Sequence, residues 1–450
     1  MLKTRSKALD LKWKLLLSEE RLRPTKVKKR SSYDARTAFE NDYDRVIFCS
    51  SFRRLRSKAQ VFSLEGHDFV RTRLTHSIEV STIGRALGDG VAKHLELPIE
   101  KIGNLLATVC LLHDIGNPPF GHSGERAIGS WFKENSKKLL LNDPAELADV
   151  TAFEGNAQAL RIATRTQWSG PDYGLNLTSA TLSTLIKYPC SSTESKDDGP
   201  KALSKFGYFK ADEATFQEVR QLTGLKGHMR HPLTFLMEAA DDIAYATGDL
   251  EDVLKMGLVD YHTIRKILKN NTEGLSAELI RTYLDGAYKE LSFVKESKER
   301  QQLSLQRFCQ MAVRLMTQSA IECFIQNSEA IVVGGFDAEI VETMKLSGLC
   351  KALKKVMKDT VYPHLEIAHR EQASAKVIHG LLNGIFEELM CAPKGTLAKK
   401  VYVKAPSNPR DVKVSEGYQY ALRMTDYVAG MTDAFALSEY QRMNAMGASL

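Results

Sequence analysis

Apolar side chains recur every three or four residues over most of the chain, with short polar breaks between the repeats. This spacing places them on one face of an α-helix and is the main sequence signal for that element. The predicted helices cover residues 76–97, 99–116, 124–135, 144–167, 210–222, 233–256, 259–269, 275–294, 299–327, 337–358, 361–390 and 412–440. Strand-like runs are few, and only Ile331–Val333 and Val401–Val403 suggest short strands. We therefore predict an all-α fold.

The predicted domains follow from where the candidate metal-binding residues lie, which is before residue 250. We expect a catalytic core over residues 36–290 and a helical C-terminal region over residues 291–450 that packs on this core. Residues 1–35, which include the basic run Lys26–Arg30, suggest a solvated basic arm.

Composition limits the partners and the location. The net charge of +7 favours anionic partners such as nucleotides or nucleic acid, although a mildly basic protein without such partners would carry the same charge. The seven cysteines are scattered without a Cys-x-x-Cys pair, which argues for a reducing compartment and against a disulfide framework or structural zinc. No apolar run reaches the roughly 18 residues of a membrane span, and the first residues lack the apolar stretch of a signal peptide. The expected location is the cytoplasm.

The strongest chemical pattern consists of two histidines and two aspartates, His76, His113, Asp114 and Asp241. The His113-Asp114 doublet follows an apolar run and precedes Asn117-Pro118, and the residue before a proline leaves the helical region. The doublet is therefore expected in the last turns of a buried helix, where a carboxylate is costly unless it is paired. Each residue alone would more often be an ordinary core or surface side chain. Together they suit a divalent cation such as Mg, Mn, Fe or Co, and such a metal beside basic groups is typical of phosphate-ester hydrolysis.

Asp241 belongs to a polar stripe on a predicted helix. Spacing by four places Asp241, Tyr245 and Asp249 on one face, which is expected to form a wall of the site. Asp242 is the alternative ligand, and the shared stripe favours Asp241.

A second polar pair follows the two prolines. His122 and Glu125 are three residues apart at the start of a helix, so their side chains can touch. A carboxylate beside an imidazole fixes its tautomer and raises its basicity, which suits proton transfer. The alternative is an ordinary acidic residue in a first helical turn, where the helix dipole favours it.

Basic side chains that could neutralise phosphates are plentiful, and no Gly-rich phosphate loop is present. Arg73 is favoured by spacing alone, because it lies three residues before His76 on the same helical face. The further basic candidates are Arg53, Arg54, Arg56, Lys58, Lys187, Lys205, Lys210 and Arg230.

These residues lie within long blocks that resemble the HD-domain phosphohydrolases, and among them the bacterial deoxyguanosine triphosphate triphosphohydrolases and related deoxynucleotide triphosphohydrolases. The resemblance covers nearly the whole chain. A bare His-Asp pair would be weak evidence, but the continuation Asn-Pro-Pro-Phe-Gly-His-x-x-Glu over residues 117–125 is specific to this subgroup. The matching blocks are Phe52–Phe62, Arg71–Ser77, His113–Glu125, Phe153–Gln158, Leu177–Thr178, Lys187–Pro189, Met237–Tyr245 and Arg423–Asp433.

The resemblance implies an HD-domain helical fold with an additional helical C-terminal region, and cleavage of a deoxynucleoside triphosphate to deoxynucleoside and tripolyphosphate, with dGTP the favoured substrate. It implies metal ligation by His76, His113, Asp114 and Asp241, and catalysis by His122 with Glu125. The substrate-binding positions that it implies are Arg73 and Lys187 at the phosphates, Gln60, Tyr245 and Asp249 near the sugar, and Asn156 without a defined role.

Mn or Mg is the expected metal, with Fe, Co and Ni as further candidates. The resemblance also implies a homo-oligomer, with a hexamer favoured, and an effector nucleotide or single-stranded DNA as candidate partners. Two alternatives stay open. The chain could be another HD phosphohydrolase, such as a nucleotidase or a guanosine-tetraphosphate hydrolase. It could also be a non-catalytic regulator that binds nucleotides or DNA.

Overall fold

The computed structural model describes residues 7–23, 33–61, 69–169, 172–391 and 413–444. Its helices are α1 (Lys7–Leu16), α2 (Ala38–Ile47), α3 (Ser50–Arg54), α4 (Arg73–His94), α5 (Ile99–Leu112), α6 (Gly121–Asn135), α7 (Pro144–Thr151), α8 (Gly155–Arg161), α9 (Ser179–Leu185), α10 (Glu213–Thr223), α11 (Pro232–Met256), α12 (Tyr261–Asn270), α13 (Gly274–Leu279), α14 (Gly286–Glu290), α15 (Ser297–Val333), α16 (Ile340–Thr343), α17 (Ser347–Thr360), α18 (Leu365–Cys391), α19 (Glu416–Ala429) and α20 (Asp433–Met443). Within these described residues the only sheet is a hairpin of β1 (Trp168–Ser169) and β2 (Asp172–Tyr173). The all-α prediction is confirmed.

Local sequence signals begin and end the helices that carry the site. Thr72 caps α4 by accepting a hydrogen bond from the Thr75 backbone N–H at 3.3 Å. Proline at the first position begins α11, and Gly257 with φ of 72° ends it. The chain after α5 cannot continue as a helix because two prolines follow Asn117.

The main hydrophobic core is built on α4, α5, α11 and α15. Every residue of α5 from Ile102 to Leu112 is buried. Each fully buried Leu or Ile side chain contributes roughly 1.5–3 kcal/mol by leaving water. The helices that carry or lead into the predicted metal ligands therefore belong to the main core.

Helices α4 and α5 approach each other closely along small residues. A Cβ at Gly84 would overlap the Cys110 Sγ atom. A Cβ at Gly88 would lie 2.9 Å from Leu106 Cδ1 and 3.1 Å from the Ile102 carbonyl oxygen. Interiors are packed without slack, so side chains at these glycines would push the two helices apart.

A second hydrophobic cluster joins α6 and α7 to the C-terminal helices α18 and α19. Trp131 is buried in this cluster, and its indole N–H donates to Asn383 Oδ1 at 2.7 Å. By contrast, α15 and α17 contribute to the main core. The predicted boundary at residue 290 therefore does not coincide with the division between the two clusters, and the domain limits stay predictions.

Three local expectations are wrong, untested or met only in part. Ile331–Val333 continues α15, so the strand predicted there is wrong; Ile331 and Val332 are buried in the main core, and the helix ends at Gly334 in the left-handed region. Val401–Val403 lies outside the described residues. Within the predicted N-terminal arm, residues 7–16 form α1, which buries Trp13 and Leu16 on one face, while the basic run 26–30 lies outside the described residues.

Two further predictions concern membrane-spanning helices and the state of the cysteines. Among the described helices, none is both long and apolar enough to cross a membrane. The side chains of six of the seven cysteines are described, and all six are free and buried; the seventh cysteine is Cys391.

Candidate active site

The predicted metal ligands come together at one point beneath a cavity. Ligand atoms of His76, His113 and Asp114 all lie within 4.8 Å of one another. Asp241 joins them, because its Oδ1 atom is 3.0 Å from His76 Nε2 and 3.4 Å from His113 Nε2. Four side chains separated by up to 165 residues therefore form one cluster, as the sequence pattern predicts.

Each ligand is placed by an element of the main core. His76 lies in the first turn of α4, the His113-Asp114 doublet follows the last residue of α5, and Asp241 lies on α11. The doublet is expected in the last helical turns but lies just beyond them, since α5 ends at Leu112 and His113 is the capping residue after it.

The buried contacts of His113 test whether a cation fits. Its Nδ1–H donates to the Cys110 carbonyl at 2.6 Å, which leaves Nε2 as the nitrogen with the lone pair. That Nε2 atom is buried and has no hydrogen-bond partner among the described residues. An orphaned acceptor nitrogen beside two carboxylates is costly by itself and suits a bound divalent cation. The residues present therefore fit a metal.

The charges of the cluster are mutually compensated. Burial would raise the pKa of Asp114, but Arg73, His113 and His76 hold it well below its ordinary value. Arg73 donates to Asp114 Oδ2 at 2.6 Å, and the Asn117 side chain donates to Oδ1 at 2.5 Å. Asp114 is therefore a fixed carboxylate whose two oxygens are both oriented by neighbours.

The two adjacent aspartates on α11 have separate environments. Burial acts to raise the pKa of Asp241, but His113 and Lys187 hold it well below its ordinary value. Asp242 instead accepts from Lys354 Nζ at 2.6 Å, and burial raises its pKa to about 6. The structure therefore brings Asp241 to the histidines and directs Asp242 to α17.

The His122–Glu125 pair forms as predicted at the start of α6. His122 Nδ1–H donates to Glu125 Oε2 at 2.6 Å, and the other carboxylate oxygen accepts from the Gly155 N–H at 2.9 Å. The His122 side chain is 70% exposed, whereas Glu125 is buried. Hydrogen bonding at Nδ1 leaves Nε2 as the nitrogen that can exchange a proton.

The turn before α6 has an unusual backbone. Phe120 has φ of 65°, which is strained for a residue with a side chain. Gly121 follows with φ of 56°, and a Cβ there would lie 2.5 Å from an Arg73 guanidinium nitrogen. The turn thus brings the backbone against Arg73, which itself donates to Asp114.

A cavity of about 450 Å³ opens above the cluster. It is lined by His113, Asp114, Asp241 and His122, and by five of the six predicted substrate-binding residues, namely Gln60, Arg73, Asn156, Lys187 and Tyr245. Lys187 Nζ is 3.4 Å from Asp241 Oδ2, and Asn156 donates to Glu154 Oε1 at 2.6 Å.

Asp249, the sixth predicted residue, does not line this cavity. It is 2% exposed, and burial raises its pKa well above the ordinary value. Its Oδ2 atom has no hydrogen-bond partner among the described residues. Any role for Asp249 near a sugar would therefore act through neighbouring residues.

Part of the cavity wall lies outside the sequence prediction. Lys205, one of the general basic candidates, lines the cavity and pairs with Glu154 at 2.9 Å. The unpredicted lining residues include Glu154, Arg126, Tyr362, Arg370, Glu371 and Ser374. The last three lie on α18, and no local pattern in the sequence indicates that this helix reaches the site.

Comparison with known proteins places the chain in a family. Residues 73–151 match the HD domain, and residues 342–442 match the phosphohydrolase-associated domain. The chain is 36% identical to a deoxyguanosinetriphosphate triphosphohydrolase-like protein of Listeria monocytogenes, covering 97% of this chain and 100% of that protein. The chain belongs to this HD-domain family.

Other relatives match with similar coverage. A deoxyguanosinetriphosphate triphosphohydrolase-like protein of Synechocystis is 35% identical, over 97% of this chain and 100% of the relative. A deoxyguanosinetriphosphate triphosphohydrolase of Serratia proteamaculans is 29% identical, over 97% of this chain and 99% of the relative. The HD-domain match includes His76, the doublet, His122 and Glu125, and Asp241 comes from the following part of the chain. Family membership supports a metal-dependent phosphohydrolase.

Proposed function

We propose that this protein hydrolyses deoxynucleoside triphosphates, with dGTP favoured, to deoxynucleoside and tripolyphosphate. The observation that carries the proposal is the convergence of the four predicted metal ligands and the His122–Glu125 pair on one cavity lined by Arg73 and Lys187. The names of the relatives supply the substrate class.

The chain's own residues supply binding and proton transfer. Arg73 is buried and the Lys187 side chain is 14% exposed, and both line the cavity, where they would neutralise phosphate charge in a medium of low dielectric constant. His122, oriented by Glu125, would exchange a proton at Nε2 with the attacking water or the leaving 5′-oxygen. A divalent cation held by His76, His113, Asp114 and Asp241, with Mn or Mg favoured, would polarise a phosphate oxygen and acidify a bound water.

Sugar selection would come from the opposite wall. Gln60 Oε1 is buried and lacks a hydrogen-bond partner among the described residues, so it can accept from a sugar hydroxyl. The ring of Tyr245 lines the same cavity one helical turn from Asp241. Its bulk would crowd a 2′-hydroxyl and so favour deoxyribose.

The decisive experiment incubates the purified protein with each dNTP and each NTP in the presence of Mn or Mg, and resolves products by ion-exchange chromatography. Tripolyphosphate from deoxynucleotides alone supports both the reaction and the sugar selection. Orthophosphate or pyrophosphate as product would assign another phosphohydrolase activity and contradict the proposal.

If no product forms from single nucleotides, the assay would be repeated with pairs of dNTPs, because an effector nucleotide is one expected partner. Absence of product from these pairs, together with salt-dependent binding of DNA, would favour a non-catalytic regulator. Hexamer formation, regulation by single-stranded DNA and a cytoplasmic location stay predictions.

A further inference from the structure

We infer that Asp433, in the C-terminal phosphohydrolase-associated domain, acts with Lys58 as a positioning residue that fixes the turn 117–122 and thereby the placement of His122. Neither residue lines the cavity. The consequence for turnover rests on the proposed function, whereas the ordering of the turn does not.

The carboxylate of Asp433 joins two segments of the site. Its Oδ1 atom accepts from the Phe120 N–H at 3.0 Å, and its Oδ2 atom accepts from the Ala59 N–H at 3.0 Å. Phe120 is the residue with positive φ immediately before α6, and Ala59 precedes Gln60. One buried side chain, 4% exposed, therefore holds the strained turn on one side of the cavity and the Gln60 segment on the other.

Lys58 ties the same turn to the same C-terminal segment. Its ammonium group donates to the Asn117 carbonyl at 2.6 Å and to the Ala429 carbonyl at 2.7 Å. Ala429 is the last residue of α19, where the helix dipole favours a cation. The backbone carbonyl of Lys58 also accepts from the Arg73 N–H at 3.0 Å. Lys58 therefore contacts both residues whose side chains donate to Asp114, namely Arg73 and Asn117.

The two charges support each other although no direct ion pair joins them. Burial lowers the pKa of Lys58 to about 7, and Asp433 is the largest charge that opposes this fall. A buried amine that bonds two carbonyls needs such a neighbour to keep its proton.

The arrangement explains why a strained backbone persists at this point. A positive φ at a residue with a Cβ costs of order 1–3 kcal/mol and persists only where surrounding contacts determine it. Here those contacts are Asp433 at the N–H of Phe120 and Lys58 at the carbonyl of Asn117. Docking of the C-terminal domain is therefore a condition for the geometry of the His122 turn.

The test compares Asp433→Asn with Thr432→Ala. An amide has one acceptor oxygen, and its NH₂ group cannot accept, so the Asn variant leaves either Phe120 or Ala59 without its partner. Thr432 caps the same helix α20 by accepting from the Phe435 N–H at 3.2 Å and makes no contact with the turn among the described hydrogen bonds. Its variant therefore weakens the same helix and serves as the matched control.

The first readout is hydrogen exchange in the full-length protein over peptides containing residues 117–122. We expect faster exchange in Asp433→Asn and no change there in Thr432→Ala. This readout does not depend on any substrate, so it decides the ordering of the turn even if no dNTP is cleaved. Unchanged exchange in Asp433→Asn, or an equal increase in the control, would overturn the inference.

The second readout is dGTP hydrolysis with Mn. Asp433→Asn should lower kcat roughly ten- to a hundredfold, as expected for a misplaced catalytic group, with KM little changed and bound metal retained. The control should keep its kcat. Loss of the metal, or an equal loss of kcat in both variants, would show a general structural role and contradict positioning of His122.

Discussion

The metal cluster and the His122–Glu125 turn lie beside one cavity but are held in different ways. The metal ligands come from helices of the main core, and their polar atoms are paired by close neighbours such as Cys110, Arg73 and Asn117. The His122 side chain is 70% exposed, and its turn depends on Asp433, which is 313 residues from Phe120 in the chain. One half of the site is thus fixed by the core itself, and the other half is fixed by docking of a distant segment.

The largest expected effect comes from breaking the metal half. His113→Ala removes the buried Nε2 atom at the centre of the cluster, so both metal binding and hydrolysis should be abolished. Metal content of the purified variant and product formation are the measurements. His94→Ala, at an exposed histidine that ends α4, should leave both unchanged. Hydrolysis by a metal-free His113 variant would refute the assignment.

Breaking the other half should separate chemistry from metal binding. His122→Ala is expected to lower kcat by about 10²–10⁴-fold, the usual contribution of general acid–base catalysis, while the metal stays bound. Glu125→Gln should lower kcat by less, because the imidazole remains but loses its charged partner. Loss of the metal from the His122 variant would show that His122 helps to hold the metal, and would contradict its assignment to proton transfer alone.

The region that supports the turn has its own pH dependence. Burial raises the pKa of Asp149 on α7 to about 6, although Ser192, Tyr418 and the Lys210 N–H donate to its carboxylate. Since the unfolded value is near 3.8, the native state binds the proton more tightly. The contribution of Asp149 to the free energy of unfolding should therefore fall as pH rises from about 4 to 6, by up to about 3 kcal/mol, and then level off.

Urea unfolding at a series of pH values measures this contribution. Asp149→Asn cannot titrate at this position, so between about pH 4 and 6 its free energy of unfolding should fall by up to about 3 kcal/mol less than that of the unaltered chain, while Asp242 titrates in both proteins. Parallel curves for the two proteins would show that Asp149 is not the group responsible.

The smallest effect concerns the sugar. Tyr245→Ala should raise hydrolysis of NTPs relative to dNTPs by about tenfold, because removing the ring relieves a contact of the size that a pocket can discriminate sterically. Tyr245→Phe keeps the ring and should keep the preference for deoxynucleotides. If the two variants discriminate alike, the ring does not select the sugar.

The sequence predicted the metal half better than the wall around it. Helical periodicity located the ligand-bearing helices because each has a long apolar face, and the four ligands carry distinctive chemistry. The predicted helix over 144–167 is in fact broken at Ala152–Glu154, and this break brings Gly155 to Glu125. Periodicity cannot show such a break, because the apolar spacing continues through it.

Long-range contacts account for the other differences. The α18 residues reach the cavity because the second hydrophobic cluster docks this helix on α6, whereas Tyr362 follows α17, which packs in the main core. Asp249 shares the stripe of Asp241, as predicted, but eight residues along a helix is about 12 Å, which carries it beyond the cavity. The face of a helix gives only the direction in which a side chain points. The position of the residue along the helix axis also decides whether that side chain reaches the cavity.

The glycine contacts between α4 and α5 have a consequence for the choice of ion. Gly84 and Gly88 set the distance between the helix that carries His76 and the helix that leads into His113. The two glycines lie about two to three turns along α4 from His76, so the helix spacing there contributes to the distance between the two imidazoles. The spacing of these two helices would therefore influence the radius of the ion that the four ligands can accommodate. Substitutions at these glycines, although remote from every ligand, can alter which cation is preferred.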